Sequence, residues 1–220
     1  MPIEVVLRGQ SDLDGVAARL GLDAEQPCLV LVGGADGLGP AEVDALESLF
    51  DDVLAPLVAV VAAVVVDGAT DTGVMRLMGR ARAAAERAFP LVGVVPAALA
   101  DWGLEPNHSH VVLVPGGEWG DETPWIASLA GVLAGARGSA TLLVNGGEIS
   151  WADAEASVAA GRPVVAVAGS GRTADALAAA VRGTAGDTRA TRLAASGIVH
   201  AVDLADTGAL ARLLLDLLRA

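Results

Sequence analysis

Five glycine-rich turns each follow a short apolar, β-branched run, and several set threonine, serine or arginine beside the glycines. The turns cover residues 32–37, 67–73, 115–123, 145–148 and 169–172. Glycine lets a backbone approach a ligand closely, and the amide groups at the start of a following helix attract phosphate. The sequence therefore predicts a site for an anionic, phosphorylated small molecule. For any single turn, a tight strand-to-helix connection without a ligand is the alternative.

The candidate binding residues come from all five turns. Arg172 carries a guanidinium fork that matches phosphate in a bidentate manner. Trp119 lies within a turn, where its ring can stack on a base or ribose, with packing as a lid the alternative. The complete set of candidate ligand-binding residues is Gly33, Gly34, Gly68, Thr70, Thr72, Gly73, Val74, Gly116, Gly117, Trp119, Gly120, Glu122, Thr123, Gly146, Gly147, Gly169, Ser170, Gly171 and Arg172.

The last turn also matches part of a dinucleotide-binding fingerprint. Gly169, Gly171 and Ala174 have the spacing of G-x-G-x-x-A, after a predicted strand and at the start of a predicted helix. The fingerprint requires an acidic residue about 20 positions on, at the end of the next strand. Asp187 falls in a loop and Asp203 comes too late. The sequence therefore disfavours a conventional NAD-dependent dehydrogenase.

Two further residue groups could take part in chemistry. Glu122 shares the predicted ligand edge with Asp67, and it is the candidate catalytic residue if the protein hydrolyses its ligand, as a group that steers or activates water. His108 and His110 resemble half of a metal site, but no cysteine or carboxylate has the spacing of a further ligand, so we expect no metal. We expect His110 to be buried and His108 to orient its loop.

Composition excludes several classes of protein. All 14 basic residues among the 220 are arginine, against 27 acidic residues, and the formal charge is −13. A nucleic-acid or anionic-membrane surface is therefore disfavoured, and Schiff-base lysine chemistry is excluded. The single cysteine, Cys28, indicates a reducing compartment. With no signal peptide, and with an apolar stretch at 53–66 too short to span a bilayer and interrupted by Pro56, we expect a cytoplasmic protein without membrane insertion.

Strands and helices alternate along the whole sequence. Buried strands are predicted at 28–32, 60–66, 91–95, 110–114, 141–144, 163–168 and 197–202. Helices are predicted at 40–54, 72–88, 121–136, 150–160, 172–182 and 207–219, with Ser150 and Asp153 as a capping box and Asp206 or Thr207 as a cap. This order predicts an α/β, Rossmann-like, doubly wound and mainly parallel sheet with helices on both faces.

We expect one domain over residues 1–220. Residues 1–27 are expected to add an edge strand at 3–8 and a short helix to a core formed by residues 28–220. The helices are rich in alanine and leucine, which favours a homo-oligomer.

These motifs together resemble the SLOG superfamily, and more narrowly its prokaryotic LSDAT branch, which is similar to the N-terminal cytoplasmic domain of melastatin-type TRP channels. The resemblance runs from about Cys28 to Val181. It rests on Thr72-Gly73-Val74-Met75 with Gly79, Asn107-His108-Ser109-His110, Gly120 with Glu122, Gly146-Gly147, and Gly169-Ser170-Gly171-Arg172 with Ala174-Asp175.

The resemblance implies a Rossmann-like domain that binds a nucleotide-derived ligand such as ADP-ribose, requires no cofactor and signals to a separate membrane or effector protein. A second SLOG branch, the LOG-type phosphoribohydrolases, cleaves nucleoside 5′-monophosphates at the N-glycosidic bond. Residues 115–122 are similar to its Pro-Gly-Gly-x-Gly-Thr-x-x-Glu loop, but Trp119 and the position of Glu122 depart from that pattern. The basic cluster of that branch is replaced here by residues 107–110, which favours a sensor over a hydrolase.

Overall fold

The strands of the computed structural model form one parallel sheet. The structure describes residues 1–34, 40–86, 89–184 and 186–220. Within these ranges eight strands pair in the order β1-β5-β4-β3-β2-β6-β7-β8. The strands are β1 (Ile3–Val6), β2 (Cys28–Gly33), β3 (Val64–Asp67), β4 (Leu91–Pro96), β5 (His110–Val114), β6 (Ser139–Val144), β7 (Val164–Ala168) and β8 (Val199–Asp203).

Helices connect the strands on both sides of the sheet. The α-helices are α1 (Val16–Leu20), α2 (Pro40–Ser48), α3 (Ala55–Val60), α4 (Gly73–Ala84), α5 (Thr123–Ala134), α6 (Glu148–Ala159), α7 (Arg172–Val181), α8 (Thr188–Ala194) and α9 (Thr207–Leu218). A π-helical stretch, Leu49–Leu54, joins α2 to α3, and short 3-10 turns occupy Gln10–Leu13 and Ala97–Leu99. No helix of the described ranges is long and apolar enough to cross a membrane.

Alternate residues of each strand enter two separate cores, because successive side chains of a strand point to opposite faces. On one face Val30, Val64 and Val112 pack with residues of α1, α5, α6, α7 and α8. On the other face Leu29 and Val65 pack with residues of α2, α3, α4 and α9. The prediction of a doubly wound, Rossmann-like sandwich is therefore confirmed.

The strand order changes direction at β2. From β2 the chain builds β3, β4 and β5 outward on one side, then returns to place β6 on the other side of β2 and continues to β7 and β8. Open α/β sheets bind ligands outside the carboxyl ends of the strands at such a switch point. Gly33 ends β2 there, and a Cβ atom at Gly33 would lie 1.8 Å from the carbonyl oxygen of Val144 at the end of β6. The switch point is thus closely packed, and only glycine fits at this position.

Two of the predicted element boundaries differ from the observed ones for reasons that the structure makes clear. The predicted strand at 60–66 begins only at Val64, because α3 continues to Val60 and a turn with a positive φ of 53° at Ala62 separates the two elements. Helix α6 begins at Glu148, two residues before the predicted cap. Ser150 is therefore the third residue of the helix, where its hydroxyl accepts a hydrogen bond from the Gly147 amide at 3.2 Å, and Asp153 is not its capping partner.

Candidate functional site

A cavity of about 400 Å³ opens at the carboxyl edge of the sheet, beside the switch point at β2. Its wall combines apolar side chains with carboxyl groups and an arginine. The lining residues are Leu31, Val32, Gly33, Gly34, Gly68, Thr70, Thr72, Met75, Trp119, Glu122, Ile126, Gly147, Glu148, Ile149, Ser150, Asp153 and Arg172. The volume and mixed lining suit a small polar molecule with an apolar or aromatic portion.

Four helices begin at this cavity. Thr72, Glu122, Gly147 and Gly171 are the residues that precede the first turns of α4, α5, α6 and α7, respectively. Each helix has at least ten residues, and each first turn contributes residues to the cavity wall. Helix N-termini carry partial positive charge and amide groups without intrahelical partners. The four helix N-termini and Arg172 therefore offer groups that attract negative charge, in a wall that also carries the carboxyl groups of Glu122, Glu148 and Asp153.

The predicted binding residues divide into those that line the cavity and those that shape the turns behind it. The lining group is Gly33, Gly34, Gly68, Thr70, Thr72, Trp119, Glu122, Gly147 and Arg172. Outside the lining are Gly73, Val74, Gly116, Gly117, Gly120, Thr123, Gly146, Gly169, Ser170 and Gly171. Of the first glycine turn, Ala35, Asp36 and Gly37 lie outside the described residues.

The residues behind the lining hold the turns in place. The Ser170 hydroxyl is buried, donates to the carbonyl oxygen of Val167 at 2.6 Å and accepts from the Asn145 amide at 2.7 Å, which ties the turns after β6 and β7 together. Asp121 accepts from the amides of Gly117 and Glu118 at 2.8 and 3.1 Å and so folds the loop that carries Trp119. We conclude that some of the glycines in the predicted set serve the geometry of the turns and do not line the cavity.

Arg172 is placed at the cavity by an unusual backbone. It is the first residue of α7 and has a φ of +49°, the left-handed region that side-chain-bearing residues rarely adopt. A Cβ atom at Gly147 would lie 3.3 Å from a guanidinium nitrogen of Arg172, so the absence of a side chain at Gly147 makes room for the guanidinium. Strained backbone of this kind concentrates at ligand-binding sites.

Two carboxyl groups lie together in the cavity wall. Glu122 is buried, and one of its oxygens accepts from the Gly120 amide at 2.8 Å. Asp153 accepts a hydrogen bond from the Thr123 hydroxyl at 2.6 Å. Burial raises the pKa of Glu122, and burial together with the neighbouring Glu122 raises the pKa of Asp153 to about 7. Such perturbed acids in a cavity are typical of functional sites. The sequence did not predict Asp153 as a site residue, because its spacing to Ser150 resembles a capping box.

The apolar wall includes one aromatic side chain. Trp119 is half-buried and packs against the small core of Ala69, Val95 and Val111, while another part of it lines the cavity. The other two tryptophans near this edge, Trp125 and Trp151, are buried in the core on one face of the sheet. Trp119 is thus the aromatic residue that offers a ring to a ligand from the described wall.

A buried chain of charged groups supports the turn after β3. His108 Nε2 lies 2.8 Å from Asp67 Oδ1, and His108 Nδ1 lies 3.0 Å from Glu105 Oε2. The two carboxylates raise the pKa of His108 to about 10, against the opposing effect of burial, so the imidazole is charged at neutral pH. Asp67 Oδ1 also accepts from the Ala69 amide at 2.7 Å. The triad of Asp67, His108 and Glu105 fixes the turn that presents Gly68 and Thr70 to the cavity, so His108 supports the turn after β3 as well as its own loop.

His110 is buried at the start of β5, where Nδ1 lies 2.8 Å from the Ser109 hydroxyl. Within the described ranges, no group of three or more His, Cys, Asp and Glu residues has the arrangement of a metal site.

Comparison with solved structures shows the same fold in proteins with little sequence identity. The molybdenum cofactor binding protein from the phototrophic bacterium Rippkaea orientalis has 13% identity and a TM-score of 0.58, over 88% of this chain and 99% of that chain. The molybdenum cofactor carrier protein from Chlamydomonas reinhardtii has 17% identity and a TM-score of 0.55, over 87% of this chain and 99% of that chain. At these identities the likeness shows the fold alone. No curated protein sequence matches the chain.

A family model described as SLOG in TRPM, prokaryote, matches residues 26–211. The match covers all four helix N-termini of the cavity and the switch point between β2 and β6. The predicted resemblance is confirmed, and the chain belongs to the prokaryotic LSDAT family of SLOG domains.

Proposed function

We propose that this protein binds a nucleotide-derived anionic ligand of the ADP-ribose type in the cavity at the switch point. The observation that carries the proposal is the convergence of four helix N-termini on one cavity that also holds Arg172. Membership of the SLOG family and the fold shared with molybdenum cofactor binding and carrier proteins support a role in holding a small ligand. The −13 formal charge disfavours nucleic acid as the partner.

The proposed binding mode follows the distribution of charge around the cavity. A diphosphate would accept hydrogen bonds from the first turns of α6 and α7 and from the Arg172 guanidinium. A base or ribose would stack on Trp119. The Glu122 carboxyl lies toward Gly68, since its Oε1 is 3.9 Å from the Cβ position there, and would accept from sugar hydroxyls.

In this proposal the protein is a sensor that acts on a separate effector. Trp119 lies in a loop folded by Asp121, next to the exposed side chain of Ile149. Adjustment of this loop on ligand binding would change the neighbouring surface and so alter contact with a partner. The effector, which we propose is a separate membrane or soluble protein in the cytoplasm, would read that surface.

The alternative function is hydrolysis of a nucleotide at its N-glycosidic bond. The observation that favours it is the buried Glu122 carboxyl with a raised pKa, which is the property of a general acid or base. Against it, the charged His108 is already engaged by Asp67 and Glu105, so it does not serve a leaving nucleotide.

Thermal unfolding with a panel of ligands tests the binding proposal. ADP-ribose, cyclic ADP-ribose, NAD, AMP and inorganic phosphate are compared at millimolar concentration. We expect ADP-ribose to raise the Tm most, because a ligand at 100 times its Kd adds about 2.7 kcal/mol to the free energy of unfolding. The absence of any shift across the panel would contradict the proposal.

Chromatography of overnight incubations separates sensor from hydrolase. We expect AMP and ADP-ribose to stay intact with the wild type, whereas Glu122→Gln weakens binding of ADP-ribose. Release of free base or ribose 5-phosphate by the wild type but not by Glu122→Gln would establish the hydrolase in place of the sensor.

A further inference from the structure

Asp153 is a half-buried acid in the wall of the cavity. It lies in the second turn of α6, beyond the first turn where the helix dipole stabilises a carboxylate. Among the described residues its one hydrogen bond comes from the Thr123 hydroxyl, and no arginine pairs with it. A carboxyl group that is partly withdrawn from water and has a single hydrogen bond keeps acceptor capacity for a ligand. The position of Asp153 in the cavity wall therefore suits a role in binding.

The surroundings of Asp153 define what it can bind. Thr123 holds Oδ1, and Oδ2 accepts no hydrogen bond among the described residues. Glu122, at the start of α5, is the charged neighbour that raises its pKa. The other charged groups in the wall are Glu148 in the first turn of α6 and Arg172 in the first turn of α7. Two carboxyl groups therefore lie on one side of the cavity and offer hydrogen-bond acceptors close together.

The four helix N-termini limit the chemistry of the group that meets these acceptors. Their partial positive charge disfavours a cation such as an ammonium group. A metal ion would require further ligands, and the described residues hold no cluster suited to one. A neutral group with two adjacent donors fits both conditions. The vicinal hydroxyls of a ribose have this arrangement, and acidic side chains bind ribose hydroxyls in dinucleotide-binding folds.

We propose that Asp153 is a specificity-determining residue of the cavity and that, with Glu122, it accepts the vicinal hydroxyls of the ligand's ribose. The inference rests on the proposed function and adds the class of ligand: ribonucleotide derivatives with both hydroxyls free, in preference to deoxyribose or hydroxyl-phosphorylated forms. Thr123 is the positioning residue that orients the Asp153 carboxyl.

Calorimetric titration can test the contact between Asp153 and a ribose hydroxyl, because removal of the carboxylate and removal of the hydroxyl can be combined in a double-mutant cycle. Wild type and Asp153→Asn are each titrated at pH 8 with ADP-ribose and with its two deoxy analogues, lacking the 2′-hydroxyl of the adenosine ribose or of the terminal ribose. Asparagine keeps the oxygen that accepts from Thr123. We expect Asp153→Asn to bind ADP-ribose about tenfold or more weakly, the loss typical of a hydrogen bond to a charged group. Relative to ADP-ribose, one deoxy analogue should bind the wild type more weakly by a similar factor. The same analogue should lose much less affinity for Asp153→Asn.

Glu155→Gln is the matched control, because Glu155 lies two residues further along α6, is not among the residues that line the cavity and pairs with Arg192. It should bind every ligand as the wild type does. A second readout excludes a merely structural role: ligand-free Asp153→Asn should melt at a higher temperature than the wild type above pH 7, because it removes a charge that the raised pKa of Asp153 shows to be unfavourable in the folded state. A lower Tm with unchanged affinity would show that Asp153 serves only the fold.

The outcomes separate this inference from the proposed function. If wild type does not bind ADP-ribose, the proposed function fails and the inference fails with it. If wild type binds ADP-ribose but Asp153→Asn binds it equally well, or both deoxy analogues bind like ADP-ribose, the proposed function stands and the assignment of Asp153 is wrong.

Discussion

Arg172 combines a rarely adopted backbone conformation with a place in the wall of the cavity. Its φ of +49° is unfavourable for a residue with a side chain, and glycine would relieve the strain. The strain is tolerated where the surrounding structure determines the conformation. The conformation directs the guanidinium to the space above Gly147, at the start of the neighbouring helix α6. The Arg172 side chain is exposed, and we propose that ligand binding accounts for arginine at this position.

Replacement of Arg172 should therefore affect binding more than folding. We expect Arg172→Ala to weaken ADP-ribose binding by about 1.5–3 kcal/mol, the range for hydrogen bonds to charged groups, with a small change in Tm. Arg172→Lys should restore part of the affinity, because an ammonium lacks the planar fork. Calorimetry measures both, with Arg182→Ala, at the other end of α7 and paired with Asp203, as the control. Equal affinity of wild type and Arg172→Ala would remove this residue from the site.

His108 is a residue of the fold, and its contribution should depend on pH. Its replacement leaves Asp67 and Glu105 buried without their charge partner, so His108→Gln should destabilise the protein by about 3–5 kcal/mol at pH 6. A folded-state pKa raised to about 10 contributes stability that is complete below pH 6.5 and is lost as pH rises through 10. The difference between wild type and variant in urea unfolding should thus shrink between pH 6.5 and 10.

The control for this experiment is His200→Gln, on the edge strand β8, which should change the free energy of unfolding little at any pH. A wild-type to His108→Gln difference that stays constant from pH 6 to 10 would show that the imidazole acts through packing alone and not through its charge.

At the level of single residues, the sequence predicted the kinds of side chain in the site better than it predicted the full set of residues that line the cavity. Arg172, Trp119 and Glu122 were predicted from turns and all three line the cavity. Asp153 was not, because a carboxylate three residues after a serine is the usual pattern of a helix cap. A residue such as Asp153, from the second turn of a helix, has no local pattern that marks it as part of a cavity, since only tertiary packing brings it to the edge of the sheet.

Gly79 in helix α4 shows how a glycine of a sequence motif can make room for the triad of Asp67, His108 and Glu105 rather than for a ligand. A Cβ atom at Gly79 would lie 2.1 Å from the carboxyl carbon of Glu105, which Asn107 and His108 hold in place. The glycine in the sequence motif therefore makes room for the buried acid. By contrast, a Cβ atom at Gly131, in the middle of α5, would lie 3.9 Å from its nearest neighbour, a guanidinium nitrogen of Arg162.

Gly79→Ala and Gly131→Ala should therefore have opposite effects. We expect Gly79→Ala to destabilise the protein by about 1–3 kcal/mol, as overpacking does, because the Glu105 carboxyl cannot move aside freely. Gly131→Ala should stabilise it by about 0.5–1 kcal/mol, since alanine favours a helix. Urea unfolding of the two variants gives the comparison, and a stabilising Gly79→Ala would mean that Glu105 is not held as described.

Strands and helices were predictable where their boundaries carry a local signal. β5 matches its predicted range, and the Asp206 side chain caps α9 by accepting from the Ala209 amide at 2.8 Å. The start of β3 was not predictable, since the apolar residues 57–66 suit a buried helix end as well as a strand. Helix α8 was missed because its seven residues are too few for an amphipathic pattern to stand out.

For the whole molecule, the site is a product of topology. The sequence predicts a parallel doubly wound sheet, but the strand order that puts β3 and β6 on either side of β2 depends on how helices pack on the two faces. That order brings the turns after β3, β5, β6 and β7 to one cavity, although they are separated by up to about a hundred residues in the sequence. The convergence of helix N-termini is thus a property of the fold, and it is the basis of the proposed anion site.

A crystal structure determined from crystals soaked with ADP-ribose would show whether the ligand binds at the convergence of these helix N-termini. We expect density for the diphosphate at the first turns of α6 and α7, in contact with Arg172, and density for a ribose between Glu122 and Asp153. Density for the ligand at another part of the surface, or a cavity that stays without ligand density while calorimetry shows binding, would contradict this expectation.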